Sequence, residues 1–197
     1  MIKEMEMTVR ERVKMVIKMN KIQLAKLLLP FAIAVAAVFF LWLFLPEDFG
    51  KYVTVFSVYS FMPVVGQITA IPTGLALGIP PAPLIAFITF TDAIFALFIV
   101  WNFDYAKKIP GLGKLIERVE EKGGEVLRRY KWVKRFEFIG LVAFVVFPLQ
   151  WTGSGVGSIV GRLIGMTPFM TWLAAVIGMF IRSAILVYAS WLFAFIV

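Results

Sequence analysis

Apolar residues fall in long blocks along this chain, and polar residues punctuate rather than alternate with them. Leu27 to Leu45 is 19 residues without a charge, enough for one helix across a hydrocarbon core of about 30 Å. Pro30 is expected in its first turn, where a missing N–H costs little. Residues 46–51 close the block as a short polar loop. Tyr52 to Pro83 is apolar but interrupted by Pro63, Gly66, Pro72, Gly74, Gly78, Pro80 and Pro81. Residues 83–103 form a second span with one charge, Asp92. Phe138 to Gly165 is broken again, by Pro148, Gly153, Gly155 and Gly157. Residues 168–197 form a third span with Arg182 as its only charge. At about 30 residues it exceeds the roughly 20 that one crossing needs, which leaves tilt, a kink near Gly178 or projection open.

The two interrupted blocks carry the same punctuation 87 positions apart: Gly74, Gly78 and Pro81 are echoed by Gly161, Gly165 and Pro168. Each block leads into a full-length apolar helix. Paired, interrupted hydrophobic segments in corresponding positions of two halves point to a membrane transporter built from an internal repeat. Broken backbone at membrane depth is tolerated only where protein buries it or water reaches it.

Composition agrees. Hydrophobic residues make up 61% of the 197 and charged residues 16%, against roughly 45–50% and 25% in soluble domains. The class is an all-α integral membrane protein. With no cysteine and no histidine, disulfides, Cys/His metal sites, histidine proton relays and a Ser-His-Asp triad are excluded. No paired-carboxylate or nucleophile–base set stands in their place, so an enzyme is not expected, and no cofactor or metal is implied.

The formal charge of +8 is concentrated. Residues 1–26 hold seven Lys/Arg against three Glu, and residues 104–137 hold ten against six acids. Basic flanks beside apolar spans read as the cytoplasmic side of a membrane protein rather than as a nucleic-acid surface. Residues 1–26 fit an amphipathic helix lying on the membrane, a short solvated leader helix being the alternative; no signal-peptide pattern is present. Residues 104–137 read as a cytoplasmic basic helical loop bent at Gly123-Gly124. If both broken blocks crossed the bilayer, one basic segment would lie outside. If 52–82 and 138–165 instead dip in and return, both basic segments are cytoplasmic and residues 46–51 lie opposite. The expected architecture is therefore an inverted repeat of two re-entrant hairpins, each followed by a transmembrane helix, in a plasma membrane with the N-terminus cytoplasmic.

The hairpin tips supply the candidate site. Residues 66–74 offer Gln67, Thr69 and Thr73; residues 148–158 offer Gln150, Trp151, Thr152, Ser154 and Ser158 among glycines. Backbone amides and neutral hydrogen bonds there could hold an anion or a polar head group, close packing of small residues being the alternative. Asp92 and Arg182 fall in the middle thirds of spans expected to run oppositely. A charge at mid-bilayer costs at least about 2.5–3.5 kcal/mol, so each is expected to have a partner or water. A structural ion pair and a proton- or substrate-linked role both remain open. Arg162, near the cytoplasmic end of its hairpin, reads as a phosphate-facing or snorkelling anchor.

The run from Gly140 through Pro148-Leu149 and Thr152-Gly153-Ser154-Gly155-Val156-Gly157 to Gly165-Met166, with Ala70-Ile71-Pro72-Thr73-Gly74 earlier, resembles the small multi-drug export family. That family is distantly similar to the DedA membrane proteins, which share two opposed re-entrant hairpins. The chain departs from the family pattern at Gly66 and Ile68, where Glu and Arg are usual, and at Gln150 and Trp151, where Pro-Gly is usual. The resemblance implies export, and its DedA side implies phosphate-bearing lipid substrates. The expectation is a transporter of a small amphipathic or lipid-linked substrate, with proton coupling through Asp92 in view and a homo-oligomer left open. A non-transporting scaffold or lipid-organising protein is the alternative.

Overall fold

A computed structural model describes residues 21–61, 66–106, 131–147 and 153–196. These form seven helices: α1 (Lys21–Phe44), α2 (Phe49–Phe61), α3 (Gly66–Ala76), α4 (Pro81–Ala106), α5 (Lys131–Val146), α6 (Ser154–Leu163) and α7 (Pro168–Ile196). There is no strand among the described residues. Most of the expected amphipathic helix over 1–26 and of the basic loop over 104–137 lies outside them; α5 begins inside that basic segment, at Lys131.

Helices α1, α4 and α7 are long and apolar enough to cross a membrane. At about 1.5 Å per residue, α2, α3 and α6 reach only about 15–20 Å, short of a core of about 30 Å. α7 is continuous through Gly178, a residue whose missing Cβ lets Val145 of α5 pack against the backbone. Pro30 is not in the first turn, because α1 begins at Lys21. An interior proline frees the carbonyl four residues back. That carbonyl, on Lys26, accepts a long 3.4 Å hydrogen bond from Asn102 Nδ2 of α4.

α4 and α7 pack along each other at the centre. Trp172 Nε1 donates to the Ala93 carbonyl at 2.9 Å, while Val187 joins Leu84, Ile85 and Ile88 in the larger core. Rising numbers on one helix meet falling numbers on the other, so the two run antiparallel. Gln67 at the start of α3 meets Ser183, and the end of α3 lies beside Ser190 and Trp191. Ser154 at the start of α6 meets Asp92, and Arg162 near its end meets Asp104. Each short helix thus starts at the middle of the long helix of the other half and runs parallel to it.

The 87-residue echo is a repeated turn. Gly78 and Gly165 have φ of +80° and +90°, the left-handed conformation that glycine adopts freely. After α3, Ile79 N–H donates to the Gly74 carbonyl at 3.0 Å and Gly78 N–H to that of Leu75 at 3.0 Å. After α6, Met166 N–H donates to Gly161 at 3.0 Å and Gly165 N–H to Arg162 at 3.2 Å. Both are Schellman helix ends, which satisfy the last carbonyls of a helix and reverse the chain.

Candidate functional site

The starts of α3 and α6 meet the middles of the long helices around one carboxylate. Asp92 is 3% exposed. Its Oδ1 accepts from Tyr59 Oη of α2 at 2.7 Å and from Ser154 Oγ of α6 at 2.6 Å. Such short O–H···O⁻ bonds are the strong, charge-assisted kind. Its Oδ2 is buried with no hydrogen-bond partner among the described residues. Close by, Gln67 Nε2 donates to Ser183 Oγ of α7 at 3.0 Å, also buried. One acid on α4 therefore ties α2 to α6, and one amide ties α3 to α7.

These groups line a cavity of about 1540 Å³. Tyr59, Ser60, Gln67, Thr91, Asp92, Ser154 and Arg182 provide its polar lining. The rest is apolar and heavily aromatic, with Phe31, Phe87, Phe90, Phe95 and Phe98 among the lining side chains. Its outer wall is α1 from Pro30 to Leu41. That helix buries only Pro30 and rests on α4 through contacts such as the edge-on Phe31–Phe98 pair, centroids 5.4 Å apart. Arg182 is 6% exposed. No direct ion pair joins it to Asp92 among the described residues, and Oδ1 is occupied by two hydroxyls.

The other expected site residues lie elsewhere. Thr69 and Thr73 sit in α3, where their hydroxyls donate to carbonyls of their own helix, Gly66 at 3.2 Å and Thr69 at 2.8 Å. Residues 66–74, expected as a hairpin tip, are helix. Ser158, within α6, is fully buried and its hydroxyl has no partner among the described residues. Arg162 is held at the far end, where Nη2 donates to Asp104 at 2.9 Å, Nη1 to the Met166 carbonyl at 2.8 Å, and the guanidinium stands over the Phe103 ring. Gln150, Trp151 and Thr152 lie outside the described residues. Sequence reasoning missed Tyr59 and Ser183. The available signal for Tyr59 was a phenol in an otherwise apolar block, since a buried tyrosine hydroxyl usually finds a partner.

A family model described as "putative small multi-drug export protein" matches residues 67–185. The chain belongs to that family. The match begins at Gln67 and takes in α3, α4, α5, α6 and most of α7, including Asp92, Ser154 and Arg182. No curated protein and no solved structure matches the chain. Family membership, three helices long and apolar enough to cross a membrane, and the apolar composition together make this a membrane protein of the small multi-drug export family.

Proposed function

We propose that the chain moves a small amphipathic or lipid-linked molecule across the membrane through the cavity beside Asp92. The observation that carries this reading is the meeting of α2, α4 and α6 on one carboxylate at the edge of a large apolar cavity. An intramembrane acid is expensive and by default functional. Aromatic and aliphatic lining takes an apolar body, and the few polar groups orient a head.

In this reading α2–α3 and α5–α6 are re-entrant hairpins that dip in from opposite faces. Their shortness, the antiparallel run of α4 and α7, and the repeated Schellman ends support it. Sites at the interface of inverted repeats near the bilayer midplane are a recurring transporter design. The N-terminal side and the basic segment 104–137 face the cytoplasm of a plasma membrane, following their positive charge. Substrate reaches the cavity from the bilayer past α1, and protonation of Asp92 loosens its hold on Tyr59 and Ser154 during the cycle. Translocation rather than bond chemistry is the activity.

Flux tests the proposal. Purified protein in proteoliposomes should accelerate efflux of preloaded fluorescent amphiphiles over empty vesicles. Asp92→Asn should slow it, and Thr54→Ala, whose hydroxyl bonds the Gly50 carbonyl of its own helix, should not. Folded protein that accelerates none of a cationic, anionic and neutral set would leave the scaffold reading in its place.

A further inference from the structure

We infer that the cavity selects an amphiphile whose head is a protonated amine, with Asp92 Oδ2 as the acceptor of its N–H. This rests on the cavity being the substrate's path and names the class of substrate it takes.

The argument starts from what Asp92 lacks. Oδ1 is saturated by two hydroxyl donors. Oδ2 of the same carboxylate is buried with no donor among the described residues. A carboxylate oxygen left unpaired in a low-dielectric region is costly, because desolvation is not offset by a hydrogen bond. What completes the site is a donor, best a charged one. Among the described residues, the charged and titratable groups facing the acid are Tyr59 on α2 and Arg182 on α7. Tyr59 already donates to Oδ1, and Arg182 makes no direct pair with the acid.

The surrounding lining points the same way. Phe87, Phe90, Phe95 and Phe98 lie on the same helix as the acid and line the same cavity. Aromatic faces attract cations and accept apolar chains equally well. Along α1 the cavity runs from Pro30 to Leu41, about 16 Å of helix, which accommodates an alkyl tail beside the head. The acid needs a hydrogen on nitrogen, so a primary or secondary amine fits and a quaternary ammonium does not complete it. Arg182 in the same cavity disfavours a second cation further in, which limits the head to one charge.

Equilibrium binding to the full chain in phosphatidylcholine nanodiscs tests this, with empty nanodiscs as the partition blank. Labelled dodecylamine should bind above the blank and be displaced by unlabelled dodecylamine at least about tenfold more effectively than by dodecyltrimethylammonium, the size of one charge-assisted hydrogen bond. Dodecanoate should displace it least. Asp92→Asn should weaken amine binding by at least about tenfold, and Thr54→Ala, whose side chain does not line the cavity, should leave it unchanged. Equal displacement by the amine and the quaternary compound, or preference for dodecanoate, overturns the inference on the native protein, without relying on a variant that folds. Phosphatidylethanolamine in the disc distinguishes sources: competition with dodecylamine marks a lipid amine as occupant, and its absence marks a free amine. Because binding is read without flux, a protein that binds amines and moves nothing sinks only the transport reading. One that moves only anionic or neutral amphiphiles sinks only this inference.

Discussion

The two halves of the molecule end their short helices in the same turn and differ in what packs around it. Ile71 and Leu84 are fully buried in the first half; 87 positions on, Ser158 and Thr171 are as deeply buried in the second. Around Gly74 a Cβ would meet the methyls of Leu84 and Val55, and around the equivalent Gly161 it would meet Thr171 and Leu141. The first half is filled by large interlocking side chains. The second relies on close backbone approach, with Gly157 and Gly178 both against Val145. Small residues do this work in lipid, where apolar surface alone drives no association. The two helix ends are alike and the packing around them differs. Ser154, opposite Asp92, stands where the first half carries Gln67, opposite Ser183.

Exchanging the fillings is the strongest way to break that comparison. Ile71→Ala and Leu84→Ala should each cost about 2–5 kcal/mol, the range for emptied core positions. Ser158→Ala and Thr171→Val should be neutral or slightly stabilising, because both hydroxyls are buried without a partner among the described residues and removing an unpaired polar group relieves desolvation. Thermal unfolding in one detergent reads all four; comparable losses in both halves would contradict the asymmetry. Next in size, Tyr59→Phe and Ser154→Ala should each cost about 1.5–3 kcal/mol, as bonds to a charged group do. Their double variant should lose more than the sum, since each single variant leaves Oδ1 one donor and the double leaves it none. A smaller effect separates two equivalent glycines. A Cβ on Gly66 would strike the Tyr59 carbonyl oxygen, whereas at Gly153 it meets nothing within 4 Å among the described residues. Gly66→Ala should therefore cost about 1–3 kcal/mol as overpacking does, and Gly153→Ala close to nothing. The smallest effect is at Arg162, which stands where the first half has Leu75. Its partner Asp104 is 59% exposed, so Arg162→Gln should cost at most about 1 kcal/mol and shrink with added salt.

Much of the fold was legible because the membrane makes it so. Uninterrupted apolar length marked α1, α4 and α7, and glycine at the two Schellman positions marked the repeat. That Asp92 and Arg182 fall inside α4 and α7 followed from their place in those apolar stretches. Side-chain faces were not legible. Tyr59 meets Asp92 across 33 positions and Gln67 meets Ser183 across 116, and no local pattern encodes such pairs. Thr69 and Thr73 looked like site residues because they are polar in an apolar block. Within a helix, a threonine hydroxyl can instead be satisfied by a carbonyl three or four residues back, which is where both turn. Residues 66–74 carry glycine, proline and two threonines, all poor helix formers in water, yet the segment is helical, since packing overrides propensity. Pro30 was misplaced because two lysines, Lys21 and Lys26, extend α1 beyond its uncharged stretch.

The proposed path across the membrane depends on the two halves being inverted in it, and side-specific labelling of single cysteines tests that most directly. The chain has no native cysteine, so a cysteine placed at Asp48 and, separately, one at Lys114 report without background. With both broken blocks re-entrant, an impermeant thiol reagent added to sealed, right-side-out vesicles should label the Asp48 position and leave the Lys114 position unlabelled until the vesicles are opened. Labelling of both positions from the same side would contradict the inverted arrangement and with it the shared cavity as a path across the membrane.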